Sequence, residues 1–114
     1  MNAPLFDSDG YPSDETRDAL MDWPITDAAG ALDFLSAAWH WPEWGVRHAL
    51  SDAEMVLVHG DPRTDKFLRL ATGGWSGNED LIDAMCENVM LWTLTWRLSA
   101  RGGLHIFQYP AVTT

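Results

Sequence analysis

Residues 71–79 concentrate residue types that suit a ligand loop, reading Ala-Thr-Gly-Gly-Trp-Ser-Gly-Asn-Glu. Gly73 and Gly74 permit a positive φ or a close backbone approach directly before a helix. Because N–H groups at a helix N-terminus bind anions, the loop has the outline of a phosphate cradle. It lacks the lysine and the spacing of a Walker loop, and the Glu79 carboxylate would repel a phosphate. The sequence therefore favours a tight strand-to-helix turn with Trp75 packed over it.

Ser76 and Glu79 have the spacing of a capping box, which predicts that the helix begins here and explains the serine without a nucleophilic role. A pocket at this loop is the alternative, and it would make the protein a small ligand-binding domain or enzyme. That pocket would combine the loop with basic side chains from the end of the chain. Its predicted residues are Gly73, Gly74, Trp75, Ser76, Asn78, Glu79, Arg101 and His105.

Other catalytic or metal-binding arrangements are not evident in the sequence. No Gly-x-Ser-x-Gly elbow occurs, and Cys86 is predicted on a buried helix face without a basic neighbour. The four histidines share no metal-ligand spacing. We therefore predict no enzymatic activity, no catalytic residues, no metal and no cofactor.

Acidic residues are concentrated in the first part of the chain. The formal net charge is −10, and residues 1–46 contain nine of the 17 acidic residues but a single basic residue. Asp14, Asp18 and Asp22 recur every four residues, so they line one face of a helix, with Glu15 beside them. A field of this sign repels nucleic acid and attracts basic surfaces. The stripe is either a DNA-mimicking face or a plain solvated face.

Seven tryptophans in 114 residues exceed what a small core requires. Trp39 is predicted to point into the core, whereas Trp41 and Trp44 flank a helix break at Pro42 and are predicted to be exposed. Exposed tryptophans commonly anchor protein interfaces. The sequence therefore predicts a protein-binding module whose partner presents a basic surface, with no direct nucleic-acid binding. The predicted partner-binding residues are Asp14, Glu15, Asp18, Asp22, Trp41 and Trp44.

The length predicts one domain, 1–114, with residues 1–12 as a loosely held N-terminal arm. A lone cysteine fits a reducing cytoplasm. We expect no signal peptide, since a basic n-region and a long apolar run are lacking at the N-terminus. We also expect no membrane association, since no stretch of about 18 apolar residues occurs.

Periodicity predicts an α+β fold, with an antiparallel sheet of about four strands and about three helices packed on one face. The predicted helices cover 13–23, 26–40 and 76–88. The predicted strands form two hairpins, 54–59 with 67–71 and 90–98 with 104–109, joined by turns at 60–65 and 101–103. Residues 46–50 fit a strand or a short helix equally well.

From Met90 to Leu98 every second residue is apolar, and Thr93, Thr95 and Arg97 lie at intervening positions. The alternation predicts a half-buried strand with Met90, Trp92, Leu94 and Trp96 on its core face. A helical continuation is the rival interpretation, but Thr93 and Thr95 favour a strand because threonine has a high strand propensity.

The second half of the chain resembles a family of small uncharacterised proteins. Three motifs carry the resemblance: Thr-Gly-Gly-Trp-Ser-Gly-Asn-Glu at 72–79, Glu-Asn-x-Met-x-Trp at 87–92 and Arg-Gly-Gly at 101–103. Phages, prophages and bacterial genomes encode its members. The resemblance covers residues 71–109, with a weaker echo at 9–12 and 39–42. It implies a cytoplasmic protein and a phage context, in which small acidic proteins include inhibitors of host defence such as anti-CRISPR proteins. The family supplies no catalytic residue or cofactor to transfer.

Overall fold

The structure, a computed structural model, describes residues 5–61 and 63–110. These residues form a four-stranded antiparallel sheet with the spatial order β1-β2-β4-β3. The strands are β1 (Val46–Arg47), β2 (Asp65–Ala71), β3 (Trp96–Ala100) and β4 (Leu104–Pro110). The helices are α1 (Asp14–Met21), a 3-10 turn (Ile25–Asp27), α2 (Ala28–Ala37), α3 (Pro42–Gly45), α4 (Asp52–Leu57), α5 (Ser76–Glu87) and α6 (Val89–Thr95). The predicted α+β class and antiparallel sheet are confirmed.

Two hydrophobic clusters lie on the sheet. The larger cluster joins α1, α2, α5 and α6 to Leu68, Leu70 and Phe107 of the central strands, and includes the fully buried Trp39. The smaller cluster contains Phe67, Val58 and Ile106, with α4 packed against it. Because consecutive strand residues point to opposite faces, Phe67 and Leu68 place these clusters on opposite sides of the sheet.

Side-chain caps set the starts of the first two helices. Ser13 accepts a hydrogen bond from Thr16 N at 3.2 Å, so α1 begins where the sequence predicts. The second helix is capped by Asp27, which accepts a hydrogen bond from Gly30 N, so it begins at Ala28 and not at the predicted residue 26. Both caps satisfy N–H groups that have no partner within the helix.

The predicted capping box of Ser76 and Glu79 is wrong. Helix α5 already includes Ser76, and Trp75 occupies the cap position without a side-chain hydrogen bond. Glu79 N donates to the Trp75 carbonyl at 3.2 Å, and Ser76 Oγ lies 2.9 Å from Tyr11 Oη. The serine hydroxyl therefore holds a distant segment of the chain.

The predicted strand 54–59 is a helix, and its hairpin with 67–71 is therefore wrong. Ser51 and Glu54 form a complete capping box: Glu54 N donates to Ser51 Oγ at 3.2 Å and Ser51 N donates to Glu54 Oε1 at 3.0 Å. This box starts α4 and outweighs the strand propensity of the β-branched residues that follow. Strand β2 pairs instead with β4, and at Arg69 and Leu70 with β1.

The predicted strand 90–98 begins only at Trp96, because residues 89–95 form α6. Asn88 starts this helix: its Nδ2 donates to carbonyls of Leu20 and Trp23 at 2.9 Å each, and its Oδ1 accepts from Leu91 N. Helical geometry buries Leu91 and Thr95 and leaves Met90 and Leu94 exposed by 64% and 42%, which reverses their predicted orientation. Trp92 and Trp96 are partly buried and pack against the larger cluster.

Among the described residues, no helix combines the length and the apolar character that crossing a membrane requires.

Candidate protein-binding site

Five aromatic side chains from three chain segments meet on one surface, which we call the aromatic patch. The His40 ring stacks on Trp75 at 5.0 Å between centroids and contacts Trp41 at 4.4 Å. The Tyr11 ring also packs on Trp75, with 4.7 Å between the ring centroids. Trp44 completes the patch by packing on Gly73. Trp41 and Trp44 are 47% and 58% exposed, as predicted.

Asn78 fixes the segment that presents Trp41. Its side chain is almost fully buried, accepts a hydrogen bond from His40 N at 2.8 Å and donates to the His40 carbonyl at 3.1 Å. A longer hydrogen bond of 3.4 Å reaches the Thr72 carbonyl. One amide therefore satisfies both backbone groups of His40 and ties this segment to α5 and to the glycine loop.

Trp41 itself has a left-handed backbone, with φ of 61°, which a bulky residue rarely adopts. The following residue, Pro42, begins α3 and restricts its predecessor further. Such a conformation costs on the order of 1–3 kcal/mol and persists because the surroundings enforce it. The result is a tryptophan held outward at the helix start.

Gly73 is needed where Trp44 crosses the loop. Its φ is +64°, and a Cβ built there would lie 2.8 Å from the Trp44 ring. The neighbouring Gly74 has a similar φ of +76° but an open surrounding. The two glycines predicted as ligand-loop residues thus differ: both permit the turn, but only Gly73 seats a tryptophan.

Residues 5–13 deliver Tyr11 to the patch. Ser13 N donates to the Leu5 carbonyl at 3.0 Å, and Asp7 Oδ1 accepts from Tyr11 N at 3.0 Å. The predicted N-terminal arm is thus hydrogen-bonded to the rest of the protein from Leu5 onward, and residues 1–4 lie outside the described residues.

A groove of about 430 Å³ runs between α1 and α5, and we call it the acidic groove. Its walls carry five carboxylates and one guanidinium, from Asp14, Arg17 and Asp18 of α1 and Asp80, Asp83 and Glu87 of α5. Met21 and Ala84 also line the groove. Arg17 pairs with Asp14, so a single internal cation opposes this cluster.

The predicted acidic stripe is only partly in this groove. Asp14 and Asp18 line it, whereas Asp22 is the C-cap of α1 and Glu15 is exposed beside the groove. The sequence did not single out Asp80, Asp83 and Glu87 as partners. Their spacing of three and four residues marks one helix face and is the signal that could have identified them.

The aromatic patch and the acidic groove adjoin. Tyr11 is hydrogen-bonded to Ser76, which is the first residue of α5, and Tyr11 itself lies shortly before the start of α1. Asp80 lies one turn further along α5, which is about 6 Å. Asp14 lies at the start of α1, three residues after Tyr11. The Tyr11 side of the aromatic patch therefore lies at one end of the acidic groove.

The structure brings the two ends of the alternative pocket near each other, because Thr72 N at the start of the glycine loop donates to the Gly103 carbonyl of the β3–β4 turn at 3.0 Å. Gly73 and Gly74 form the loop, Trp75 is part of the aromatic patch, Ser76 begins α5, and Asn78 is buried and bonded to His40. Glu79 is exposed on α5, and Arg101 is exposed in the turn between β3 and β4.

His105 lies on β4 directly opposite Ser99 of β3. Its Nδ1 is 2.7 Å from Ser99 Oγ, which also accepts from Trp96 Nε1 at 2.8 Å. Burial lowers the pKa of His105, while the negative charges of Glu79 and Asp83 act to raise it. The imidazole is therefore neutral at pH 7, which is the state of a hydrogen-bonding or proton-accepting histidine.

Cys86 is exposed, and its predicted burial is wrong. Partial burial of the thiol, together with the nearby charges of Asp83 and Glu87, raises its pKa. A raised pKa lowers the thiolate fraction, so this cysteine is a poor nucleophile. Within residues 5–61 and 63–110, no cluster of three or more histidine, cysteine, aspartate or glutamate side chains has an arrangement that holds a metal ion.

Comparisons with known protein families, with curated proteins and with solved structures find no match to this chain.

Proposed function

We propose that this protein is a non-enzymatic binding module that docks on a basic protein surface through the aromatic patch and the acidic groove. The observation that carries the proposal is their juxtaposition: the patch, with two tryptophans that are 47% and 58% exposed, meets the starts of α1 and α5 through Tyr11 and Ser76, and these helices wall a groove with five carboxylates. Tryptophan anchors supply buried area at interfaces, and complementary charge supplies steering and specificity. Neither feature is required by the hydrophobic core.

The chemistry of the groove favours arginine or lysine side chains from the partner. A guanidinium entering the groove would pair with carboxylates of both helices and could stack on the exposed Trp41 ring at the groove end. Long apolar stems of such side chains would lie on Met21 and Ala84. A phosphate backbone would be repelled along the same path, so direct nucleic-acid binding is not part of this proposal.

The resemblance to phage and bacterial proteins gives this proposal a specific form. A module with this surface, encoded by a phage and present in the host cytoplasm, would inhibit a host defence complex by occupying its nucleic-acid-binding surface. The acidic groove would then take the place of phosphate charges. This form requires that nucleic acid and the module compete for the same site on the host complex.

Affinity capture from the natural host, with variants as internal controls, tests the proposal. Trp44→Ala should reduce capture of the partner at every salt concentration, because it removes an apolar contact. Asp83→Lys should reduce capture mainly at low salt, because exposed charges are screened within about 8 Å at physiological ionic strength. Val56→Ala on α4 is the apolar control, since Val56 is also exposed but belongs to neither the aromatic patch nor the acidic groove. Equal capture by all four proteins would contradict the proposal.

A second candidate function is acyl transfer at Ser99, favoured by its contact with neutral His105. In such a reaction Ser99 Oγ attacks an ester carbonyl as its proton passes to His105 Nδ1, which then protonates the departing alcohol; water releases the acyl group. Labelling by a fluorophosphonate probe tests this. Labelling of the wild type that Ser99→Ala abolishes would support the enzyme, and absence of labelling at high probe concentration would contradict it.

A further inference from the structure

A second cleft, of about 570 Å³, lies on a different part of the molecule. It runs along the first half of β2 and is bounded by the segment that leaves β1 and by α2, α4 and β4. Its lining residues are Asp33, His48, Ala49, Leu50, Met55, Asp65, Lys66, Phe67 and Tyr109. The sequence did not point to this cleft, because its residues come from five separate segments.

The cleft follows an open strand edge. In the described part of the chain, β1 pairs with β2 only at Arg69 and Leu70, whereas β4 pairs with all of β2 from Asp65 to Ala71. Residues 65–68 therefore have a strand neighbour on the β4 side alone. In an antiparallel ladder, alternate residues direct their N–H and C=O groups to opposite edges. Part of the backbone of 65–68 thus faces the cleft.

The two sides of the cleft differ in character. Leu50, Met55 and Phe67 belong to the smaller hydrophobic cluster and form an apolar side. On the opposite face of the sheet, Lys66 lies directly across from Tyr109 in the ladder, and Asp33 of α2 lies beside them. A strand added at this edge would alternate its side chains between these two sides.

We propose that this cleft binds an extended segment of a partner protein as an additional strand, with apolar and basic residues in alternation. Backbone hydrogen bonds to β2 would supply affinity, and the two sides of the cleft would select the side chains. The basic residues follow from charge. On the polar side the charge of Asp33 offsets that of Lys66, and the net charge of −10 of the whole chain then favours basic over acidic side chains.

The test is fluorescence polarisation with a labelled peptide of alternating lysine and valine, six residues long. We expect saturable binding that weakens at least tenfold when glutamate replaces lysine. Two further peptides are methylated on backbone nitrogens, one at every valine and the other at every lysine. Because each set of N–H groups faces one edge of a strand, one methylated peptide should bind like the parent and the other should lose binding. Equal binding by both would overturn the proposal.

Protein variants locate the site. Ala49→Trp places a large ring in the cleft from an exposed position, and it should abolish peptide binding while its denaturation midpoint stays that of the wild type. Asp33→Lys should weaken binding at least tenfold. Asp83→Lys makes the same charge change in the acidic groove and should weaken binding less than threefold.

The reverse pattern, with Asp83→Lys more damaging than Asp33→Lys, would place the peptide in the acidic groove. That outcome would overturn the strand-addition proposal and leave the proposed function standing. Loss of partner capture in Trp44→Ala together with an unchanged peptide affinity would show that the two sites are independent.

Discussion

Replacement of Asn78 tests the structural basis of the aromatic patch most sharply. Asn78→Ala removes two short hydrogen bonds to His40, of 2.8 and 3.1 Å, and a longer one to the Thr72 carbonyl. Each intramolecular hydrogen bond contributes about 1 kcal/mol net, and a buried partner left unpaired costs about 1–3 kcal/mol. His40 is half-buried, so water can partly replace the lost partner. We expect a loss of about 2–4 kcal/mol in the free energy of unfolding.

Asn78→Asp changes the chemistry with almost no change in shape. The introduced carboxylate can still accept from His40 N, but it faces the His40 and Thr72 carbonyls as a buried negative charge. Desolvation and these carbonyls raise the pKa of the introduced group above that of an exposed aspartate, near 3.9. The unfolded chain therefore binds fewer protons than the folded one as the pH falls. The cost relative to wild type should exceed that of alanine at pH 7 and shrink toward about pH 4.

Urea denaturation at several pH values, with tryptophan fluorescence as the signal, measures the free energy of unfolding of both variants relative to wild type. A cost below about 0.5 kcal/mol for Asn78→Ala would refute this role of Asn78. A cost of Asn78→Asp that does not change with pH would refute the assignment of donor and acceptor at this amide.

Three further predictions concern other parts of the fold. Gly103→Ala should cost at least about 1 kcal/mol more than Gly102→Ala in urea denaturation, since both residues have positive φ but only at Gly103 would a Cβ lie 2.0 Å from Thr72 Oγ1; equal costs would contradict this packing. Trp92→Ala should lower the free energy of unfolding by about 2–4 kcal/mol, because the ring stacks on Trp96 at 5.7 Å and meets Phe107 edge-on. Met90→Ala on the exposed face should change it by no more than about 0.5 kcal/mol. A larger loss for Met90→Ala than for Trp92→Ala would restore the strand interpretation. Burial lowers the pKa of His105 in the folded state, so the unfolded chain takes up the proton first as the pH falls below about 6.5, and stability declines there; His105→Gln should reduce that decline, and an unchanged pH profile would contradict it.

Local signals in the sequence were sufficient where a cap or turn set the structure. Ser13 predicts the start of α1, and the glycines at 102 and 103 predict the turn between β3 and β4, each with a positive φ. These features depend on hydrogen bonds or torsion angles within a few residues. They are therefore visible in any short window of the chain.

Two errors in the predicted elements arose where local and tertiary signals competed. The alternation at 90–98 fits a strand, but the Asn88 side chain bonds to carbonyls 65 and 68 residues away and starts α6 instead. At Ser76 the box spacing was present, yet the hydroxyl is engaged by Tyr11 from the N-terminal segment. Tertiary partners can override helix and strand propensities because those propensities are weak.

The candidate site likewise has some features that local sequence signals predict and others that depend on tertiary contacts. Exposure of Trp41 and Trp44 follows from the helix break at Pro42, and the acidity of α1 follows from spacing alone. Tyr11 and His40 converge on Trp75 through contacts between residues 64 and 35 positions apart, for which a single sequence contains no signal. The sequence therefore indicated the acidic helix and the glycine loop separately, and their connection through Tyr11 and Ser76 is visible only in the structure.

The central claim is that the aromatic patch and the acidic groove act as one interface with a basic partner. Quantitative capture from the natural host with wild type, Trp44→Ala, Asp83→Lys and the control Val56→Ala tests it most directly. The claim predicts a protein with a basic surface that wild type and the control enrich equally and that both site variants lose, with the Asp83→Lys loss fading at high salt. A capture profile identical for all four proteins, or one lacking any basic protein, would contradict it.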